Sequence, residues 1–307
     1  MKIVFMGTPG FAVESLKAIH EAGFEIVGVI TAPDRASGRG LNIKQSEVKQ
    51  YALEHSMNIL QPTNLKDPKF ISNLADLKAD LQVVVAFRML PEVVWNMPPK
   101  GSINLHASLL PNYRGAAPIN WAIINGEKES GVSTFFLKHE IDTGDIIVQK
   151  SCKINSDETA GSLHDKLMLI GAEALIETLN HVKNNNIDGI PQQLSGKEKK
   201  APKIFKDDCR INWNMPAIHI DQFIRGLNPY PTAWTKINNK TLRIKIGKAT
   251  KRSDLQIGEL RLESGKIYIG CKEQCIQVSQ LQIEGKKVMS GIEFANGYLN
   301  YNGHLLK

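Results

Sequence analysis

Asn104 and His106 stand two residues apart within Gly-Ser-Ile-Asn-Leu-His-Ala-Ser-Leu-Leu-Pro-Asn-Tyr-Arg-Gly at 101–115. Residues at that spacing on a strand point the same way. A carboxamide donor beside an imidazole can stabilise a developing oxyanion and move a proton. A carboxylate to complete the set lies downstream in His139-Glu140-Ile141-Asp142-Thr143-Gly144-Asp145. Asn, His and Asp together contain no nucleophile. They therefore favour direct transfer between two bound substrates over a covalent enzyme intermediate. Taken alone, Asn-x-His also reads as a hydrogen-bonded structural pair.

Two further segments could meet a ligand. Gly7-Thr8-Pro9-Gly10-Phe11 sits where a first strand would meet a first helix. Glycines there let backbone approach a ligand at a helix N-terminus. The spacing matches neither G-x-G-x-x-G nor G-K-[ST], so a nucleotide site is a weak reading beside a plain tight turn. Thr31–Lys44 is a long loop carrying Arg35, Arg39 and Lys44, with Gly38 and Gly40 to let it move. A basic loop at the C-terminal edge of a parallel sheet can clamp a phosphate-rich substrate, and loops of this length are uncommon without a function.

The elements that must position these residues follow from hydrophobic pattern. Lys2–Met6, Glu25–Ile30 and Leu81–Phe87 are nearly all apolar and rich in Val and Ile, as strands buried on both faces are. Phe11–Ala22 repeats apolar and small residues at helical spacing, with Gly23 as its stop. This β-α-β unit predicts an α/β fold with a Rossmann-like, doubly wound sheet. Further strands are expected at Ser102–His106, Val132–Lys138 and Asp145–Gln149, and a helix over Thr159–Val182. Asn184–Lys203 is polar and lysine-rich and reads as a linker. Beyond it come a helix over Pro216–Leu227 and short strands at Ala233–Ile237, Leu242–Lys248, Lys266–Gly270 and Cys275–Gln282. Closely spaced short strands suggest a small OB-like β-barrel domain. The expected division is a catalytic domain over 1–183, a linker over 184–203 and a barrel domain over 204–307.

Charge distinguishes the two parts. The chain has 38 Lys+Arg and 31 Asp+Glu, a net +7. Residues 1–203 hold 22 of each sign, whereas 204–307 hold 16 basic and 9 acidic residues, so the last third carries the whole excess. That asymmetry points to an anionic partner for one domain, with a bare solvated surface as the alternative. No apolar run approaches the ~18 residues of a membrane span. The apolar start is too short for a signal peptide. Four scattered cysteines (Cys152, Cys209, Cys271, Cys275) lack a second Cys/His pair for zinc and suit a reducing cytoplasm. No metal is expected, and nothing calls for a second copy of the chain, so a cytoplasmic monomer is expected.

Three motifs arrive in order: Gly-Thr-Pro-Gly-Phe-Ala at 7–12, Asn-Leu-His-Ala-Ser-Leu-Leu-Pro-Asn-Tyr-Arg-Gly at 104–115, and Ile-Asp-Thr-Gly-Asp at 141–145. Together they resemble the 10-formyltetrahydrofolate-dependent formyltransferases. Three more segments resemble the members that act on aminoacylated initiator tRNA. These are Pro33-Asp34-Arg35…Gly38-Arg39-Gly40, Ala201-Pro202-Lys203-Ile204-Phe205-Lys206-Asp207…Arg210-Ile211-Asn212-Trp213, and Gly285-Lys286-Lys287-Val288-Met289-Ser290-Gly291. The resemblance spans essentially residues 2–299.

It implies a catalytic trio of Asn104, His106 and Asp142 that passes a formyl group from the folate co-substrate to an aminoacyl α-amine. It implies a folate-binding segment at Ser108, Leu109, Leu110 and Pro111. It also implies a pterin held by backbone near Phe87, Arg88, Met89 and Leu90 and near Ile141, Thr143, Gly144 and Asp145. Many members carry Tyr-Gly where this chain has Phe87-Arg88-Met89, and Leu is commoner at Ile141. The loop bearing Arg35, Arg39 and Lys44 would meet the tRNA acceptor end. The candidates for the tRNA backbone are Lys206, Arg210, Arg243, Lys245, Lys248, Lys251, Arg252, Lys286 and Lys287. The competing readings are a formyltransferase for an amino-sugar nucleotide and, more distantly, a non-catalytic RNA-binding protein.

Overall fold

A computed structural model describes residues 1–37, 42–185 and 189–306. Gly38, Arg39 and Gly40 of the basic loop, and Asn186 of the expected linker, lie outside the described residues.

The chain divides into two compact units. One comprises 1–115, 131–152 and 164–200; the other comprises 116–130, 153–163 and 201–307. The first is built on β1 (Lys2–Gly7), β2 (Glu25–Ile30), β3 (Ile59–Leu60), β4 (Leu81–Val85), β5 (Ser102–His106), β6 (Glu129–Phe136) and β7 (Ile146–Lys153). Their order across the sheet is β7-β6-β5-β4-β1-β2-β3. The strands from β3 to β5 pair in parallel, and β6 pairs antiparallel to β5. The parallel, doubly wound expectation therefore describes the core of the sheet, and its far edge turns antiparallel. Every residue of Leu81–Val85 is buried, as a central strand requires.

The chain starts in the middle of this sheet at β1, builds outward through β2 and β3, then crosses back to place β4 on the other side of β1. Such a reversal opens a crevice at the C-terminal strand ends, where ligands of α/β proteins bind. Gly7–Pro9, Ala86–Leu90 and His106 stand at those ends. Helix α1 (Gly10–Glu21) buries Phe11, Ala12, Ser15, Leu16 and Ile19. Of the residues that helical spacing puts on its apolar face (Phe11, Ser15, Ala18, Ile19 and Ala22), Ala18 is only partly buried and Ala22 is exposed. A Cβ on Gly7 would lie 2.6 Å from the Ala12 Cβ. The first glycine of the motif thus serves the close packing of α1 on β1, which is the tight-turn reading. Helix α2 (Ala160–Lys183) presents Leu163, Leu167, Leu175 and Leu179 as a buried stripe. It is fastened by Thr178 Oγ1, 2.6 Å from Thr134 Oγ1 on β6.

The second unit holds α3 (Ala217–Gly226) and the strands β8 (Ala233–Ile237), β9 (Lys240–Ala249), β10 (Leu260–Glu263), β11 (Lys266–Gly270), β12 (Cys275–Ile283) and β13 (Met289–Ser290). They form an antiparallel sheet along the path β8-β9-β12-β11-β10, with β13 on β12. The path is open among the described residues, since its end strands do not pair with each other. Its core includes Trp213, Ile220, Ile244, Ile269, Val278 and Phe294. Helix α4 (Gly291–Gly297), which no pattern announced, starts at a reciprocal cap between Ser290 and Glu293. Among the described residues no helix is long and apolar enough to cross a membrane.

Candidate active site

His106 ends β5, and Asn104 precedes it on the same face. The His106 ring is buried, and its Nε2 lies 2.9 Å from the Tyr113 carbonyl oxygen. A carbonyl only accepts, so Nε2 carries the proton and Nδ1 is the nitrogen free for exchange. Nδ1 faces Asp142 Oδ2 at 3.9 Å. That is too long for a hydrogen bond, so both atoms remain able to meet a third group. Asp142 Oδ2 accepts from the Gly115 backbone N–H at 2.9 Å. The Asn104 carboxamide has no partner among the described residues, leaving its NH₂ free to donate.

The loop bearing Asp142 is tightly specified. Asp142 adopts a left-handed φ of 55°, and Tyr113 and Ala86 also have positive φ, 60° and 46°. Non-glycine residues reach that region at a cost, and such positions cluster at functional sites. Gly144 is obligatory on steric grounds: a Cβ there would sit 1.5 Å from the Phe136 carbonyl oxygen. Lys138 Nζ donates to both Asp145 oxygens at 2.8 and 2.9 Å, and Thr143 Oγ1 donates to the Glu140 carbonyl. Ile141 is exposed beside Asp142.

Ser108–Pro111 is a braced turn more than an open surface. Ser108 and Leu110 are buried, and the Ser108 hydroxyl donates to the Asn112 carbonyl at 2.7 Å. Ser133 on β6, opposite His106 in register, accepts from the Leu110 N–H and donates to the Ser108 carbonyl. Only Leu109 and Pro111 of this segment keep side-chain surface. Sequence reasoning misses Ser133, because one buried serine on an apolar strand carries no signal.

Phe87–Leu90 alternates in direction. Phe87 and Leu90 pack against the core cluster that contains Val84 and Val94, while Arg88 and Met89 are exposed. Outside the strand ladders, no backbone group of Phe87–Leu90 is engaged elsewhere in the described chain. Those amides and carbonyls are available to a planar heterocycle that needs both donors and acceptors. The bulk of Arg88 is turned aside: Nη1 donates to the Thr63 carbonyl at 2.8 Å and Nη2 to the Pro62 carbonyl. Although the residue as a whole is exposed, partial desolvation of its guanidinium and then the neighbouring charge of Arg35 push its pKa down.

The basic loop closes as a short ladder in which Arg35 pairs with Lys44, both exposed. Its entry is anchored by Asp34, which accepts from Lys49 Nζ at 2.6 Å and Gln61 Nε2 at 2.9 Å. Lys49 and then Gln61 hold the Asp34 carboxyl below the usual carboxylate range. Arg39 lies outside the described residues.

In the second unit, Arg210, Trp234, Arg243 and Gln282 occupy laterally adjacent positions across the sheet. The Arg210 guanidinium lies 5.8 Å from the Trp234 ring centroid, and Trp234 Nε1 donates to the Lys206 carbonyl at 2.7 Å. Lys206, Lys248, Lys251, Lys286 and Lys287 are exposed. Lys245 is half-buried and donates to Thr232 Oγ1, and burial, with Arg243 beside it, lowers its pKa. Arg252 is held by Asp254 and Glu263 and lies over the Tyr268 ring, so it is committed within the unit.

Residues 1–179 match the family model described as formyl transferase, and residues 203–299 match its C-terminal domain. A methionyl-tRNA formyltransferase of Bacteroides fragilis is 49% identical over 309 residues, covering 97% of this chain and 95% of the relative. One of Flavobacterium johnsoniae is 50% identical, covering 97% and 96%. Among solved structures, HypX of Aquifex aeolicus in complex with tetrahydrofolic acid aligns with a TM-score of 0.67 at 17% identity, covering 97% of this chain and 47% of that one. An N-formyltransferase of Helicobacter canadensis, solved with folinic acid and dTDP-3-aminofucose, aligns at 0.66 and 22% identity, covering 91% and 98%.

Proposed function

The chain belongs to the formyl transferase family, and on that premise we propose that it moves the formyl group of 10-formyltetrahydrofolate onto the α-amino group of methionyl-tRNA. The observation that carries the acceptor is the near-full-length likeness, through both units, to methionyl-tRNA formyltransferases. The likeness to a sugar formyltransferase is one of fold alone. The proposed protein is a cytoplasmic monomer, with residues 204–307 of the second unit as its tRNA-docking part.

The folate donor fits the residues present. Phe87–Leu90 offers unengaged backbone groups, and Asn104 offers an unengaged carboxamide beside His106. When bound, the donor supplies the formyl carbon and the nitrogen that finally takes the proton. The chain's own residues do the rest. An α-amine titrates near pH 7.7–8.0, so a useful neutral fraction attacks without a strong base. The Asn104 NH₂ donates to the formyl oxygen as negative charge grows on it. His106, locked with its Nε2 proton on the Tyr113 carbonyl, takes or gives a proton at Nδ1. Asp142 stands across the 3.9 Å gap to stabilise that proton and orient the amine or a water between them. Ser108 and Leu110 act by fixing the turn, leaving Leu109 and Pro111 to face the donor.

The test is formyl incorporation from 10-formyltetrahydrofolate into charged initiator tRNA, free methionine or an amino-sugar nucleotide. Transfer to the charged tRNA alone is expected. Preferential transfer to the sugar nucleotide would overturn the acceptor, and no transfer to any would overturn the enzyme reading.

A further inference from the structure

The segment 189–200, read from sequence as linker, is packed into the first unit and touches the active loop directly. Ile190 exchanges backbone hydrogen bonds with Ile146 at the start of β7, at 2.8 and 2.9 Å. This places Gln192, half-buried between exposed Pro191 and Gln193, against the Asp142 loop. Gln192 Nε2 donates to the Asp142 carbonyl at 2.9 Å and to the Gly144 carbonyl at 2.8 Å. Its Oε1 accepts from Arg114, with Nε at 3.1 Å and Nη2 as a second donor. A primary amide has two donors and an acceptor with two lone pairs, and here all four are used.

These bonds close a ring. Arg114 binds Gln192, Gln192 binds the Asp142 backbone, and the Asp142 carboxylate binds the N–H of Gly115, the residue after Arg114. The ring joins the 104–115 motif to the 141–145 motif, the two segments whose meeting puts Asp142 opposite His106. It also accounts for the left-handed φ of Asp142, a conformation that persists only where surrounding bonds over-determine it. No bond of Gln192 reaches His106 or Asn104.

We propose that Gln192 is a positioning residue for formyl transfer, which holds the Asp142 carboxylate across from His106 Nδ1. The proposal rests on the role assigned to Asp142 above. Gln192→Met keeps the volume and removes all four bonds. Gln192→Glu keeps the acceptor for Arg114 but sets a carboxylate against two carbonyls.

The experiment measures single-turnover formyl transfer to charged initiator tRNA by the full chain, with substrate KM values and the melting temperature. The proteins are wild type, both Gln192 variants, Asp142→Ala, and Gln192→Met combined with Asp142→Ala. Displacing a reacting group by about an ångström can cost roughly a hundredfold in rate, so losses of about tenfold to a hundredfold in kcat are expected for both Gln192 variants, with KM little changed. A residue that acts through Asp142 should add no further loss once Asp142 is alanine. Wild-type rates in Gln192→Met, equal fractional losses with and without Asp142, or a loss traced to unfolding would each overturn the proposal. If Asp142→Ala matches wild type, or wild type itself transfers nothing, the underlying functional reading fails instead.

Discussion

At the scale of single residues, chemistry is carried by what each group is left free to do. Asn104 has an unspent donor, His106 has one nitrogen tied and one open, and Asp142 has an oxygen facing that open nitrogen. Removing one oxyanion donor costs about 10²–10³ in rate, so Asn104→Ala should lose that much in kcat with folate and tRNA KM little changed. A loss confined to KM, seen in steady-state kinetics, would make Asn104 a binding group only. The thiols give a second test. Burial pushes Cys271 up to about 12 and Cys209 up to about 11, and raises Cys275 as well. Each raised thiol favours the folded state below the ordinary thiol range near pH 8.5, a contribution lost as pH rises above it. Iodoacetamide at pH 8 should leave these three untouched in native protein and modify them only in denaturant, as read by peptide mass. Fast native modification of any of them would contradict their burial. Asn104 and His106 stood out in sequence as residue types at a spacing, whereas Asp142 was singled out among the carboxylates of 139–145 by the family resemblance. Gln192 was not, because its partners lie 50 and 78 positions away and leave no local pattern.

At the scale of elements, the strands and loops set distances that side chains alone cannot. Glu25–Ile30, Ser102–His106, Ala233–Ile237 and Lys266–Gly270 stand at the bounds read from sequence: Glu25–Ile30 shows as a Val- and Ile-rich run, while apolar residues alternate along Ala233–Ile237, where one face is buried. Pairing direction is not written there, and β6 joins β5 antiparallel. The four-residue strand Leu260–Glu263 and the seven-residue helix Gly291–Gly297 are too short to display a period. The loop between β6 and β7 carries Asp142 and sets its place opposite His106. Gly144→Ala puts a Cβ 1.5 Å from a backbone oxygen, so the backbone itself must move. That variant should lose about a hundredfold or more in kcat through displacement of Asp142, even where the first unit stays folded by circular dichroism. Retention of wild-type kcat would show that the loop's geometry is not what places Asp142.

At the scale of the whole molecule, the net +7 lies entirely in residues 204–307, which belong to the second unit. Cutting the chain at residue 204 would be a poor test, because 116–130 and 153–163 belong with the second unit. Charge reversal in the full chain is cleaner. Arg210 and Arg243 flank Trp234 on one face, so Arg210→Glu with Arg243→Glu should raise the KM for charged tRNA while sparing kcat. For every phosphate the variant no longer neutralises, the slope of log KM against log salt should also fall by about 1. An unchanged KM and slope would move the docking surface elsewhere. The most direct test of the proposed function remains single-turnover formyl transfer, with folate donor and charged initiator tRNA both bound, by wild type and His106→Ala. Transfer by wild type and a fall of about 10²–10³ in the variant are expected. Transfer by His106→Ala at the wild-type rate would show that His106 takes no part in the chemistry.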